Sequence, residues 1–115
     1  MTPAALRLWL EARRSGPPVT YAEVATALGL RPPGTIRQLT DMLEQLMAED
    51  AVASRPFIAA LVVGRLRDLP GPGFFATAAR LGRFTGAPDG PEAAAFHQAE
   101  LAALASAGQS PTTRP

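Results

Sequence analysis

Two sequence patterns that are typical of helix starts, separated by a turn, most constrain what this chain can fold into. Thr20 is followed three residues later by Glu23, and Thr35 is followed three residues later by Gln38. In such a capping box, the threonine side chain accepts a hydrogen bond from the later backbone N–H, and the later side chain returns one. A glycine and a Pro-Pro-Gly segment lie between the two boxes and interrupt any helix there. The patterns therefore predict a short helix, a turn and a second helix.

A further helix is predicted before this pair. Thr2 can cap its first turn, and Pro3 at the first helical position loses no hydrogen bond. Gly16 and the two prolines after it predict an end near Ser15. The helix after Thr35 has the longer apolar stripe, which recurs at helical spacing and predicts an end near residue 50: Ile36, Leu39, Leu43, Leu46 and Met47.

The second half of the chain has a different character. Residues 57–63 form a continuous apolar run with β-branched residues at its end, which predicts a buried strand. Residues 69–73 hold two prolines and two glycines and predict a tight turn, followed by a short helix that ends at Gly82. Pro91 opens an alanine-rich helix. The predicted fold class is mainly α with a small β component and winged helix-turn-helix-like: three N-terminal helices, a strand with a wing, and two C-terminal helices.

Length and composition limit the class of protein. The 115 residues fit one small domain over residues 1–107, and residues 108–115 are predicted to form a disordered tail because they have nothing to bury. The absence of cysteine excludes disulfides, thiolate zinc sites and iron–sulfur clusters. No apolar run approaches the roughly 20 residues of a membrane span, and no signal-peptide pattern is present. We therefore expect no membrane association and a cytoplasmic location.

Every basic residue is an arginine. The 11 arginines give a net charge of only +1, but residues 1–40 and residues 51–88 are both arginine-rich and flank an acidic segment. GC-rich codon usage in a bacterium would produce the same bias without any functional cause. Arginine also pairs with phosphates and guanine edges better than lysine does, so the bias equally suits a nucleic-acid-binding protein.

The candidate DNA contacts follow from the predicted helix-turn-helix. Its second helix would enter the major groove with its first turn, which carries Thr35, Arg37 and Gln38. Acidic residues farther along that helix would repel phosphate, so only the first turn is expected to approach DNA. The alternative is a three-helix unit that contacts protein.

A second basic group surrounds the predicted strand and turn. Arg55, Arg65 and Arg67 stand where a wing would contact phosphates or a minor groove. A merely solvated surface is the alternative.

Few residues suit catalysis. His97 is the only histidine, and we expect it at the surface, since no cysteine or second histidine could complete a metal site with it. The glycine-rich turn over residues 70–75 matches no established phosphate-binding pattern, and the alternative to phosphate binding is a structural corner anchored by Phe74 or Phe75. We therefore expect no catalytic residue, no metal, no cofactor and no enzymatic activity.

The segment Val19-Thr20-Tyr21-Ala22-Glu23-Val24-Ala25 resembles the start of the helix-turn-helix in alkylguanine-DNA alkyltransferases and alkyltransferase-like proteins. The similarity of layout covers roughly residues 19–75 and implies a DNA-binding fold. That family's Pro-Cys/Trp-His-Arg motif would fall near residues 55–58, which contain no Cys, Trp or His, so alkyl transfer is excluded. Residues 55–75 also resemble small uncharacterised bacterial proteins with an A-L-V-V…L-P-G-x-G-F-F motif, a family that implies no activity.

These patterns predict a bacterial, cytoplasmic protein that binds double-stranded DNA or belongs to a DNA-associated assembly. With a net charge of +1, its affinity is expected to depend on a homodimer or a protein partner. The alternative is a protein–protein interaction module with the same fold, which would dock through Phe96, Leu101 and Leu104 of the alanine-rich helix.

Overall fold

The computed structural model describes residues 2–66 and 68–107, and this part of the chain is mainly helical. In chain order it forms α1 (Pro3–Glu11), β1 (Val19–Thr20), α2 (Tyr21–Ala27), α3 (Thr35–Val52), a 3₁₀ helix (Ile58–Leu61), β2 (Val62–Val63), α4 (Pro72–Arg80) and α5 (Pro91–Ala107). The predicted class, mainly α with a small β component, is confirmed. Arg67 and the predicted tail over residues 108–115 lie outside the described residues.

Two of the predicted helix caps form as expected. The Thr2 hydroxyl accepts a hydrogen bond from the backbone N–H of Ala5 at 3.2 Å, at the start of α1. At the start of α2, Thr20 Oγ1 accepts from the N–H of Glu23 at 3.1 Å, and Glu23 Oε1 accepts from the N–H of Thr20 at 2.8 Å. This reciprocal pair confirms the first capping box.

The prediction of a second capping box is wrong. Gly34, with a φ of 76°, takes the cap position of α3, and Thr35 is already the first helical residue. The Gln38 amide instead donates to the carbonyl oxygens of Arg31 and Pro33, both at 3.1 Å. A left-handed backbone favours glycine, so Gly34 turns the chain without a side-chain cap and Gln38 holds the turn together.

Helix α1 ends at Glu11, earlier than the predicted end near Ser15. The N–H of Arg13 donates to the carbonyl of Leu10 at 2.8 Å, and the N–H of Gly16 donates to the carbonyl of Arg13 at 3.0 Å, so tight turns replace the last helical turn. The Arg13 guanidinium also donates to the carbonyl of Trp9 at 2.8 Å and stacks on its ring. This side chain therefore satisfies a carbonyl near the helix end.

The predicted strand over residues 57–63 is mostly wrong. Only Val62 and Val63 form a strand, which pairs in parallel with β1 in the register Val19 to Val62 and Thr20 to Val63. The preceding residues Ile58–Leu61 form the 3₁₀ helix. In the described part of the chain, a loop rather than a second strand follows β2.

Side chains from distant helices satisfy the backbone of this buried segment, which is why it need not be a strand. Asp50 on α3 accepts from the N–H of Ile58 at 3.0 Å, and Glu100 on α5 accepts from the N–H of Phe57 at 2.7 Å. The ring of His97 contacts the carbonyl of Ala60, with 2.9 Å between Nε2 and O. Buried backbone groups need such partners wherever a sheet does not supply them.

The expected surface position of His97 is wrong, because the residue is 1% exposed. Its Nε2 bonds to Ala60, whereas its Nδ1 is buried without a partner among the described residues. Burial lowers the pKa of His97 more strongly than the hydrogen bond to Ala60 raises it. Its position beside Gln98 and Glu100 in the sequence did not indicate this burial.

The core has an aliphatic part and an aromatic part. The aliphatic part joins α1, α2 and α3 to the 3₁₀ helix through Leu6, Leu10, Val24, Leu39, Leu46 and Leu61. The aromatic part contains all five phenylalanines, with ring centroids between 5.0 Å (Phe74 and Phe75) and 6.5 Å (Phe75 and Phe96). Both Phe74 and Phe75 are buried, so the structural corner predicted for the glycine-rich turn is confirmed.

The alanine-rich helix α5 packs against this core. Leu104 is completely buried, and Phe96 and Leu101 are partly buried against the core. The surface that the interaction-module alternative assigned to these three side chains is therefore occupied within the chain itself. No helix in the described ranges 2–66 and 68–107 is long and apolar enough to cross a membrane.

Candidate functional site

The starts of three helices meet at one face of the protein. Tyr21 opens α2, Ile36 is the second residue of α3 and Pro72 opens α4, and all three line a cleft of about 240 Å³. The Tyr21 hydroxyl accepts a hydrogen bond from the N–H of Gly71 at 2.8 Å. Burial raises the pKa of Tyr21, and the hydrogen bond from Gly71 only partly offsets this effect. This contact holds the start of α2 against the turn that precedes α4.

The lining of the cleft is mostly apolar, with one carboxylate. Glu44 on α3 makes no ion pair with the described residues, and its Oε2 lies 3.7 Å from where a Cβ on Gly73 would stand. A carboxylate at this position faces the first turn of α4, where a negative charge is favourable. The cleft can hold a mainly apolar group that carries a hydrogen-bond donor.

A short loop over residues 64–70 adjoins the cleft. Its base is closed by two backbone hydrogen bonds, from Gly64 N–H to Leu69 O at 2.8 Å and from Asp68 N–H to Gly64 O at 3.2 Å. Arg65 and Leu66 are exposed on it. The loop and the cleft share Gly71 and Pro72 as a common wall. We call the surface formed by Ile36, Arg65, Leu66 and the Gly71–Pro72 wall, together with the first turn of α3 that carries Ile36, the loop face.

The three DNA-contact residues predicted on α3 differ in their exposure and in the hydrogen bonds that they already make. Arg37 is exposed and makes no ion pair with the described residues, whereas Thr35 is half-buried. Gln38 is exposed, but its amide N–H groups already donate to Arg31 and Pro33. Since a bidentate contact to adenine needs an amide donor, Gln38 would have to give up these bonds to read a base.

Arg55 and Arg65, two members of the second predicted basic group, lie in different parts of the structure. Arg55 lies at the opposite end of α3, where its Nε donates to Asp50 at 3.0 Å. Asp50 follows Thr35 by 15 residues, which at the helical rise puts it about 22 Å farther along the axis. Arg65 lies on the loop face, and Arg67 is outside the described residues. Arg65 therefore lines a cleft that shares the Gly71–Pro72 wall with the cleft lined by Ile36 of α3, whereas Arg55 lies at the other end of this helix.

Two features of this region were not predicted from the sequence. Arg31, in the turn between α2 and α3, is exposed and makes no ion pair with the described residues. Leu66 is 92% exposed, the most exposed large apolar side chain among the described residues. The signal for Leu66 was its place between two arginines in a loop, where an apolar residue buries nothing locally.

The described residues contain no group of three or more His, Cys, Asp or Glu side chains that could hold a metal ion. Comparison of the chain with protein-family models, with curated proteins and with solved structures finds no match.

Proposed function

We propose that this protein binds double-stranded DNA through the loop face, in the manner of a winged helix. In this proposal α3 is the recognition helix, α2 and the turn over residues 28–34 position it, and the loop over residues 64–70 serves as the wing. The observation that carries the proposal is that Ile36 on α3 and Arg65 on the loop line adjoining clefts that share the Gly71–Pro72 wall, while Arg37, the neighbour of Ile36 in the first turn of α3, is exposed.

The contacts of the other arginines support the loop face as the binding surface. Arg7, Arg14, Arg55 and Arg83 pair with carboxylates, so they hold the fold together. Arg13 stacks on Trp9. The remaining described arginines, Arg31, Arg37, Arg65 and Arg80, have no carboxylate partner in the described part of the chain. All but Arg80, which lies at the end of α4, belong to the start of α3, the turn before it or the loop face.

The charge of α3 limits how the helix can approach DNA. Asp41 and Glu44 follow the first turn, and Glu49 near the far end pairs with Arg7 at 3.1 Å. Phosphates close to Asp41 would be repelled, so only the first turn approaches the duplex. If Arg31, Arg37 and Arg65 all contact phosphates, the logarithm of the association constant should fall with the logarithm of the salt concentration with a slope of about −3. Binding should therefore be weak, with a modest dependence on salt.

The proposal is tested by fluorescence anisotropy with a mixed-sequence duplex at low and moderate salt, with light scattering on the same sample to give the oligomeric state. We expect Arg37→Ala and Arg65→Ala each to weaken binding and to lower the salt slope by about one. Arg80→Ala is the matched control, because Arg80 is exposed at the end of α4 and makes no ion pair with the described residues, and this variant should bind like the wild type.

Two results would contradict the proposal. One is the absence of binding at low salt by a folded wild-type sample. The other is equal loss of affinity in all three arginine variants, which would indicate an unspecific effect of net charge rather than contact through the loop face.

A further inference from the structure

The cleft between the starts of α2, α3 and α4 has an apolar floor. Leu43, Met47, Ala59 and Phe74 line it, and each of them is at most 6% exposed, so they form its buried end. Ile36 also lines the cleft but is 51% exposed, so part of its apolar surface remains uncovered at the rim. An apolar ligand would be stabilised by displacing water from these side chains.

One carboxylate sets the charge of the cleft. Glu44 is half-buried and makes no ion pair with the described residues. None of the described side chains that line the cleft is basic. The first turn of α4, which begins next to Glu44, offers only the partial positive charge of a helix start. A carboxylate that is partly removed from water is stabilised more by a full positive charge, so the cleft favours a cation over an anion.

We infer that the cleft binds a small amine with an apolar body, whose ammonium group pairs with Glu44 while the body covers the apolar floor. This inference goes beyond DNA binding and does not depend on it. The volume of the cleft, about 240 Å³, limits the size of the ligand. An apolar cavity of about 150 Å³ holds one benzene ring, so an aromatic ring with a short alkyl chain fits the larger volume. An arylalkylamine has this shape and charge.

The walls of the cleft are held in place before any ligand binds. The Tyr21 hydroxyl accepts a hydrogen bond from the N–H of Gly71 at 2.8 Å, which joins the start of α2 to the turn before α4. The ring of Phe74 packs edge-on against Phe57 and Phe75, with centroid distances of 6.0 Å and 5.0 Å. A site that is already ordered loses less conformational entropy on binding, so even a small ligand can be retained.

The test measures the binding of phenethylamine, which is protonated at neutral pH, through the backbone amide shifts in NMR spectra at constant salt. We expect saturable shifts at Glu44, Gly73 and Phe74, with a dissociation constant on the order of 1 mM for a ligand of this size. Phenethyl alcohol has the same shape without the charge and should bind about tenfold more weakly. Phenylacetate, which is negatively charged, should cause no saturable shifts.

Glu44→Gln keeps the size of the side chain and removes its charge. This variant should bind phenethylamine about tenfold more weakly than the wild type and phenethyl alcohol equally well. Asp41→Asn is the matched control, because Asp41 is exposed on the same helix and lies outside the lining of the cleft. It should bind both compounds like the wild type. Circular dichroism confirms that each variant is folded.

Three results would overturn the inference. The first is the absence of saturable shifts when phenethylamine is added to folded wild-type protein. The second is equal affinity of the wild type for the amine and the alcohol, which would indicate an apolar cleft without charge selectivity. The third is an equal loss of amine binding in Glu44→Gln and Asp41→Asn, which would indicate a general effect of net charge. None of these results bears on DNA binding, which the anisotropy experiment tests separately.

Discussion

The carboxylate of Asp50 accepts a hydrogen bond from the backbone N–H of Ile58 at 3.0 Å, although Asp50 is only 1% exposed. Its other oxygen accepts from Arg7 at 2.8 Å and from Arg55 at 3.0 Å. One buried side chain thus joins α1, the end of α3 and the 3₁₀ helix. A buried carboxylate with this many partners stabilises a fold only as long as all of them stay in place.

Replacing Asp50 should therefore be costly. Asp50→Ala removes the acceptor shared by Arg7, Arg55 and the N–H of Ile58, and we expect a loss of about 3 kcal/mol in the free energy of unfolding. Urea denaturation followed by circular dichroism measures it. Asp41→Ala is the control on the exposed side of the same helix and should stay within about 0.5 kcal/mol of the wild type. Equal effects of the two substitutions would show that the buried network contributes nothing.

His97 should make stability depend on pH in the mildly acidic range. Burial lowers its pKa in the folded chain below the ordinary value of about 6.5, so the unfolded chain binds the proton more tightly. The contribution is fully present above pH 6.5 and is lost as the pH falls through and below that value. A second proton on the ring would sit on Nδ1, which has no acceptor among the described residues.

The measurement is urea denaturation between about pH 7.5 and about pH 5.5, a range in which histidine is the main side chain to titrate. Wild-type protein should lose stability across this range. His97→Gln, which has no titratable group, should be less stable at neutral pH but should show a flatter pH profile. A wild-type profile as flat as that of the variant would contradict the assignment.

Tyr21 should titrate above its ordinary range. Burial raises its pKa above 10, and it is the only tyrosine in the chain, so the phenolate absorbance reports on this residue alone. Since the folded chain holds the proton more tightly than the unfolded chain, stability is lost as the pH rises above 10. The absorbance midpoint in native protein should exceed that measured in concentrated urea.

The hydroxyl of Tyr21 also has a measurable structural role. Tyr21→Phe removes the acceptor of the Gly71 N–H and should reduce the free energy of unfolding by about 1 kcal/mol. If the two midpoints coincide and Tyr21→Phe is as stable as the wild type, the contact between α2 and the turn before α4 is absent in solution.

Gly86 should tolerate alanine poorly. Its φ is 126°, and an added Cβ would lie 2.9 Å from Cβ of Glu92 on α5. We expect Gly86→Ala to destabilise the protein by about 2 kcal/mol, from backbone strain together with the clash. Thermal unfolding measures the change.

Gly16→Ala is the control for this substitution. Gly16 has no positive φ, and a Cβ there would meet its nearest atom, the carbonyl oxygen of Arg13, at an ordinary 3.6 Å. Alanine at Gly16 should be neutral or slightly stabilising, because it restricts the unfolded chain. Similar losses at both positions would mean that the conformation of Gly86 is not what limits substitution.

The sequence predicted the candidate site only in part. Arg37 and Arg65 were identified because a helix-turn-helix pattern assigns roles to particular positions, and both are exposed in the structure. Gln38 was assigned to base reading by the same pattern, yet its amide holds the turn before α3. Whether a polar side chain is free for a ligand depends on which backbone carbonyls come near it, and sequence spacing does not show that.

Interactions between residues that are close along the chain could be predicted from the sequence. Thr20 and Glu23 are three residues apart, and prolines and glycines end helices through their own backbone geometry. The apolar stripe of α3 likewise follows from helical periodicity. These features need no knowledge of the rest of the molecule.

The conformation of the segment before β2 and the burial of His97 depend on contacts between distant parts of the chain. An apolar run can become a strand or a 3₁₀ helix, and the choice depends on what satisfies its N–H and C=O groups. Here Asp50 and Glu100 supply acceptors and His97 contacts the carbonyl of Ala60, each from a separate region of the chain. Partners that folding alone brings together leave no periodic signal in the sequence, so their effect becomes visible only in three dimensions.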